Sequence, residues 1–169
     1  YFTSFFNGFI NYKNKKTKKK KYVTAFLPRF FISDKNIEIF FNIFPNGKLI
    51  SIIRDPETWL MSAKKHSPEI YIDTKSSLEK WKKCCEGAFS AKEKYNDKVI
   101  IIKFENLLNS PKNTLKQICS KIDIVFEKNI LTPTFNGESI DSDSSFKTTT
   151  NRIDKSPLLK NNKINLSNE

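Results

Sequence analysis

The sequence predicts an α/β fold with a parallel sheet. Three observations carry this reading. "KLISII" (48–53) and "KVIIIKF" (98–104) are continuous apolar runs of strand length, the pattern of central strands covered on both faces. Between and around them lie segments with helical spacing and clear start signals. The alternation of strand and helix along the chain favours parallel pairing through crossovers.

Taken in order, residues 1 to 12 are aromatic-rich and fit the tail of a helix. "KNKKTKKKK" (13–21) is a basic low-complexity run that reads as a basic loop. It serves either as a polyanion patch or simply as a solvated segment. "YVTAFLP" (22–28) reads as a short strand closed by Pro28. Ser33 or Asp34 can then cap a helix that places Ile37, Phe40, Phe41 and Phe44 on one side, with Pro45, Asn46 and Gly47 ending it. The strand at 48–53 follows. Asp55 caps the next helix, and Pro56 stands at its first position, where an amide proton has no partner to lose. A longer helix is expected from about Ser76 to Tyr95, with Leu78, Trp81, Cys85, Ala88 and Phe89 as its stripe. The strand at 98–104 leads to Ser110 and Pro111, which open a helix reaching about Ile122. From 132 to 160 the sequence is polar and aperiodic, the character of an irregular covering segment.

Composition narrows the function classes. With 169 residues and 38% hydrophobic content, one domain can bury a sizeable core. No run of eighteen apolar residues is present, so no membrane-spanning helix is expected. The net charge is +12, from thirty Lys and Arg against eighteen Asp and Glu, and such a field favours anionic partners. Part of that charge can equally reflect the codon bias of an AT-rich genome. Three cysteines and one histidine match no zinc spacing, so no metal is expected. Reduced cysteines fit a cytoplasmic location. The chain opens at Tyr1 inside an aromatic cluster, without an initiator Met, and reads as a fragment.

The chemistry centres on Arg54. In parallel α/β sheets ligands sit beyond the carboxyl ends of the strands, which is where Arg54 falls. A guanidinium is permanently charged and can hold a phosphate through two hydrogen bonds. Ser62 lies eight residues on, roughly two turns into the following helix. Both residues can face one anion; alternatively, Arg54 pairs with a neighbouring carboxylate and Ser62 is an ordinary helix serine.

Arg-Asp-Pro after an apolar strand, with Ser at plus eight, resembles the 3′-phosphate-binding segment of sulfotransferases that use 3′-phosphoadenosine 5′-phosphosulfate. "FPNGKLISIIRDP" is similar to the usual lead-in. "VIIIKFENLLNSPKNTLKQI" resembles the strand, acidic turn and Pro-started helix of that family. "LTPTFNGESIDSDSSF" resembles a late segment of one large subfamily, and "PLLK…LSNE" the start of its last helix. The resemblance covers about residues 22 to 169. It implies a three-layer parallel sheet of the P-loop nucleoside triphosphate hydrolase-like type, incomplete at the N-terminus, forming one partial domain over 1–169. It also implies that Arg54 and Ser62 bind the 3′-phosphate, and that Ser144, Ser145 and Phe146 lie on a loop covering the cofactor. Lys147 and Arg152 are nearby cations without an assigned role, and Glu105 suits pairing with a cap or a Lys. The implied reaction moves a sulfuryl group to a hydroxyl or amine of a carbohydrate, lipid or small-molecule acceptor.

The sequence departs from that family in one important respect. A Gly-rich, Lys-containing loop should cradle the phosphosulfate with backbone amides. The four glycines, at 8, 47, 87 and 137, are scattered. The loop is therefore expected upstream of Tyr1, and these 169 residues alone are expected to be inactive. No catalytic base is assigned; His66 reads as a surface histidine. The competing classes are a basic nucleic-acid-binding module, for which no recognition signature is present, a P-loop kinase relative sharing the same sheet, and an inactive sulfotransferase-like fragment. The acceptor and the oligomeric state are not encoded legibly.

Overall fold

The computed structural model describes residues 22–132, together with the backbone of 134–135 and 138–139. Helix α1 (Asp34–Ile43) is capped by Ser33, whose hydroxyl accepts from the Asn36 N–H. Strand β1 (Leu49–Ile53) follows, then α2 (Pro56–His66) and the long α3 (Thr74–Tyr95). Strand β2 (Val99–Lys103) runs directly into a short helix, α4 (Phe104–Asn109), and Pro111 opens α5 (Pro111–Lys121). The expected α/β organisation is present, with β1 and β2 paired in parallel and register running from Leu49↔Val99 to Ile53↔Lys103.

A shared apolar face organises the packing. Leu49 and Val99, a register pair, bury themselves against Ile37 and Phe41 of α1 and Ala91 of α3. Phe30, Phe31, Phe40, Tyr95 and Ile101 pack around that cluster. Burying one such side chain favours folding by about 1.5–3 kcal/mol, so these few contacts hold the sheet to both helices. The opposite face of β2, Ile100 and Ile102, is buried, whereas Ile50 and Ile52 of β1 are 43% and 55% exposed.

Four expectations are corrected. Residues 22–27 form no strand. The segment carries no ladder, Phe26 is 89% exposed, and the chain turns at Pro28–Arg29, with Arg29 at φ 61°, into a 3₁₀ turn over Phe30–Ile32. Strand composition needs a pairing partner, and among the described residues this segment has none; the Tyr22 hydroxyl instead donates to the Ile122 carbonyl. Helix α3 begins at Thr74, earlier than read, because the Asp73 carboxylate accepts from the Ser76 N–H. Of its expected stripe, Ala88 is buried and Leu78, Trp81 and Cys85 are half-buried, but Phe89 is exposed, and Ser77 and Ala91 are buried in addition. Gly87 permits the closest approach: a Cβ there would stand 1.8 Å from the Phe31 carbonyl oxygen. Finally, the apolar run 98–104 ends as a strand at Lys103, since Phe104 already belongs to α4.

In the stretch read as irregular, Thr134–Phe135 and Glu138–Ser139 pair as a two-residue antiparallel ladder, β3 and β4. The three cysteines are free thiols; Cys119 is buried and Cys84 and Cys85 are half-buried. Burial, aided by the neighbouring Cys84 and Glu86, pushes the Cys85 thiol up to about 11, and burial raises Cys84 as well. Among the described residues no helix is long and apolar enough to cross a membrane.

Candidate anion site at the strand ends

Parallel pairing brings the ends of β1 and β2 together on one edge of the sheet. Arg54 is the first residue beyond β1 and Phe104 the first beyond β2. Their side chains meet, with the guanidinium carbon 4.8 Å from the ring centroid. This is cation–π geometry, in which the ring's electron-rich face attracts the charge.

Helix α2 starts immediately after Arg54. The Asp55 carboxylate accepts from the Thr58 N–H at 3.0 Å and caps the helix. The Thr58 hydroxyl donates to the Asp55 carbonyl at 3.2 Å and accepts from Arg54 Nε at 3.1 Å. Thr58 is buried and Arg54 half-buried, while Asp55 is exposed. Glu105, on α4, accepts from the Asp55 N–H at 3.1 Å and so ties the two strand ends together. Trp81 of α3 donates its indole N–H to the Arg54 carbonyl at 3.1 Å. Arg54 is therefore gripped by groups from α2, α3 and α4.

That grip leaves the charge itself uncommitted. Arg54 makes no ion pair among the described residues; the two ion pairs found there are Lys82–Glu86 and Lys92–Asp97. The alternative in which Arg54 is neutralised by direct pairing is thus not what the structure adopts. Burial lowers the Arg54 pKa from its ordinary value, with Glu105 and then Asp55 opposing the shift through space. A guanidinium stays charged through such a shift. The positive charge is half-buried, and its Nη1 and Nη2 groups have no protein acceptor among the described residues.

Ser62 is half-buried on α2 and its hydroxyl makes no hydrogen bond among the described residues. It stands four residues after Thr58, hence on the same helix face, about 6 Å further along the axis. Helical Cβ atoms lean toward the N-terminus, which tilts Ser62 back toward Thr58 and Arg54. His66 is exposed in the last turn of α2. Ser144, Ser145 and Phe146 lie outside the described residues, as do Lys147 and Arg152.

Sequence reasoning had missed Thr58, Trp81 and Phe104 as parts of this site. Two signals point to them. Thr58 is spaced by four from both Arg54 and Ser62. Phe104 occupies, after β2, the position Arg54 occupies after β1. The shallow depressions along Phe31, Gly87 and Ser90 and along Ile37, Ala91 and Tyr95 share no residue with the site.

At the strand ends stands a half-buried cation whose terminal nitrogens have no acceptor among the described residues, and Ser62 lies eight residues further along the same strand–helix segment. Among the described residues no group of three or more His, Cys, Asp or Glu side chains is gathered as a metal site would need. Comparison with known proteins agrees with the fold and extends it. The solved structure titled "Sulfotransferase Domain from the Curacin Biosynthetic Pathway" superposes with a TM-score of 0.67 at 19% identity, covering 85% of this chain. The chain spans 56% of that domain's length. No curated protein matches the chain. A model described as the sulfotransferase family matches residues 9–128, a stretch that contains both strands and the whole Arg54 site. On that match the chain belongs to the sulfotransferase family.

Proposed function

We propose that this chain forms the 3′-phosphate-holding part of a sulfotransferase that uses 3′-phosphoadenosine 5′-phosphosulfate. The donor supplies the sulfuryl group when bound, and the acceptor is a hydroxyl or amine of a carbohydrate, lipid or small molecule. Arg54 and Ser62 hold the 3′-phosphate, and Ser144, Ser145 and Phe146 belong to a loop that covers the cofactor. β1 and β2 form part of a three-layer parallel sheet of the P-loop nucleoside triphosphate hydrolase-like type. The protein works in the cytoplasm, where its three thiols stay reduced.

One observation carries the reading. Arg54 has its Nε, carbonyl and ring-facing side engaged, yet keeps its terminal donor edge free at the carboxyl ends of parallel strands. A half-buried, unpaired cation costs stability unless a ligand's charge answers it. The bound 3′-phosphate is that charge. Arg54 supplies a two-pronged donor and Ser62 a hydroxyl that donates to a phosphate oxygen. Without a Gly-rich phosphate loop in these 169 residues, nucleotide binding is expected from them and sulfuryl transfer is not.

Calorimetric titration with adenosine 3′,5′-bisphosphate tests this. Arg54→Ala should weaken binding by about 10- to 100-fold, the loss for a charge-assisted pair, and Ser62→Ala by less. Undiminished affinity in Arg54→Ala sinks the proposal. Binding to DNA alone, with a steep salt dependence, would instead favour a nucleic-acid module.

A further inference from the structure

The grip on Arg54 fixes how an anion can approach it. A guanidinium offers two forked donor edges: Nε with one Nη, and the Nη1–Nη2 pair. Thr58 Oγ1 occupies Nε, which closes the first edge. The guanidinium carbon lies over the Phe104 ring, 4.8 Å from its centroid. What remains is the end-on edge, Nη1 and Nη2, which has no acceptor among the described residues. A free arginine side chain samples many rotamers and loses that freedom on binding. Here a buried hydroxyl and a ring restrict it before any ligand arrives, which lowers the entropic cost of capture.

We propose that Thr58 and Phe104 are positioning residues for the anion site: they aim Arg54 so that it receives a phosphate monoester end-on. The proposal rests on the 3′-phosphate reading above and adds two residues that touch Arg54 rather than the ligand. Thr58 suits the task because its one hydroxyl serves two partners at once. Its proton goes to the Asp55 carbonyl, which leaves its lone pairs turned to Arg54 Nε. Serine keeps that capacity, whereas valine has the same shape without it. The backbone N–H of residue 58, which the Asp55 carboxylate caps, survives either change. The helix start is therefore preserved while the grip on Nε is removed.

The experiment compares two nucleotides across a small set of variants of the full chain. Adenosine 3′,5′-bisphosphate carries the 3′-phosphate and adenosine 5′-phosphate lacks it. Thr58→Val should lower affinity for the first about tenfold and leave the second unchanged, and Thr58→Ser should restore most of the loss. Phe104→Leu keeps an apolar cover without the ring's charge-attracting face and should cost about threefold, again for the first nucleotide only. In an Arg54→Lys background, which has no Nε donor of this geometry, Thr58→Val should have no further effect.

Each alternative result overturns a defined part. Wild-type affinity in both Thr58→Val and Phe104→Leu, with Arg54→Ala still weakening binding as expected, overturns the positioning role and leaves the phosphate reading standing. Equal losses for both nucleotides would mean that the substitutions act on the fold, and that also overturns it. Absence of any 3′-phosphate-dependent binding by the wild type, or no effect of Arg54→Ala, overturns the phosphate reading and the positioning role together.

Discussion

Strands β1 and β2 resemble each other in sequence and differ in circumstance. "LISII" and "VIIIK" pair residue for residue, and on the Leu49/Val99 face both are covered by α1 and α3. On the other face the register partners diverge: Ile100 and Ile102 are 3% and 7% exposed, while Ile50 and Ile52 remain open. A strand apolar on both sides asks for cover on both sides. β2 has it; β1, among the described residues, has half of it. The strands' ends differ in the complementary way. β1 ends in a charge held by three helices, and α4, which follows β2 directly, supplies the ring beside that charge and the carboxylate that accepts from the Asp55 N–H.

The sharpest way to break this contrast is a matched truncation. Ile102→Ala should cost about 3 kcal/mol in urea unfolding, while Ile52→Ala, its register partner, should cost under about 1 kcal/mol. Equal costs would mean that the open face of β1 is covered in solution. Gly87→Ala probes the face that both strands share. Its methyl group would collide with the Phe31 backbone, so a loss of about 2 kcal/mol and a lower thermal midpoint are expected. The smallest effect separates the two helix starts. Asp55→Ala removes a cap with a formed side-chain bond and should cost about 1 kcal/mol. Ser110→Ala at the head of α5 removes no such bond and should change the unfolding free energy by only a few tenths of a kcal/mol.

The parts legible in the sequence were those fixed by local chemistry. Asp55-Pro56 and Ser33 mark helix starts because capping depends on residues only three apart. The runs at 48–53 and 98–104 declare strands because a continuous apolar pentapeptide has few other uses. "YVTAFLP" has strand composition too, but a strand exists only with a partner, and no local signal says whether one will be adjacent. The Arg54 site was half legible for the same reason. Arg54 and Ser62 share one strand–helix segment and can be related by counting along it. Trp81 and Phe104 lie 27 and 50 residues away and reach Arg54 only through the folding of α3 and the pairing of β2. Thr58 was within reach of counting, but a threonine in a helix is commonplace until its hydroxyl is seen between two partners.

The bond from Trp81 to the Arg54 carbonyl places an intrinsic fluorophore directly on the candidate site. The chain has two tryptophans; Trp59 lies edge-on to Tyr71, and Trp81 alone is hydrogen-bonded to the arginine's own backbone. An indole's emission responds to the strength of its N–H bond and to nearby charge. If Arg54 captures an anion as proposed, a change in intrinsic fluorescence is expected on titration, and Trp81→Phe should silence it while Trp59→Phe leaves it in place. The indole would then serve as a titration dye bonded to the backbone of the residue whose charge it reports on.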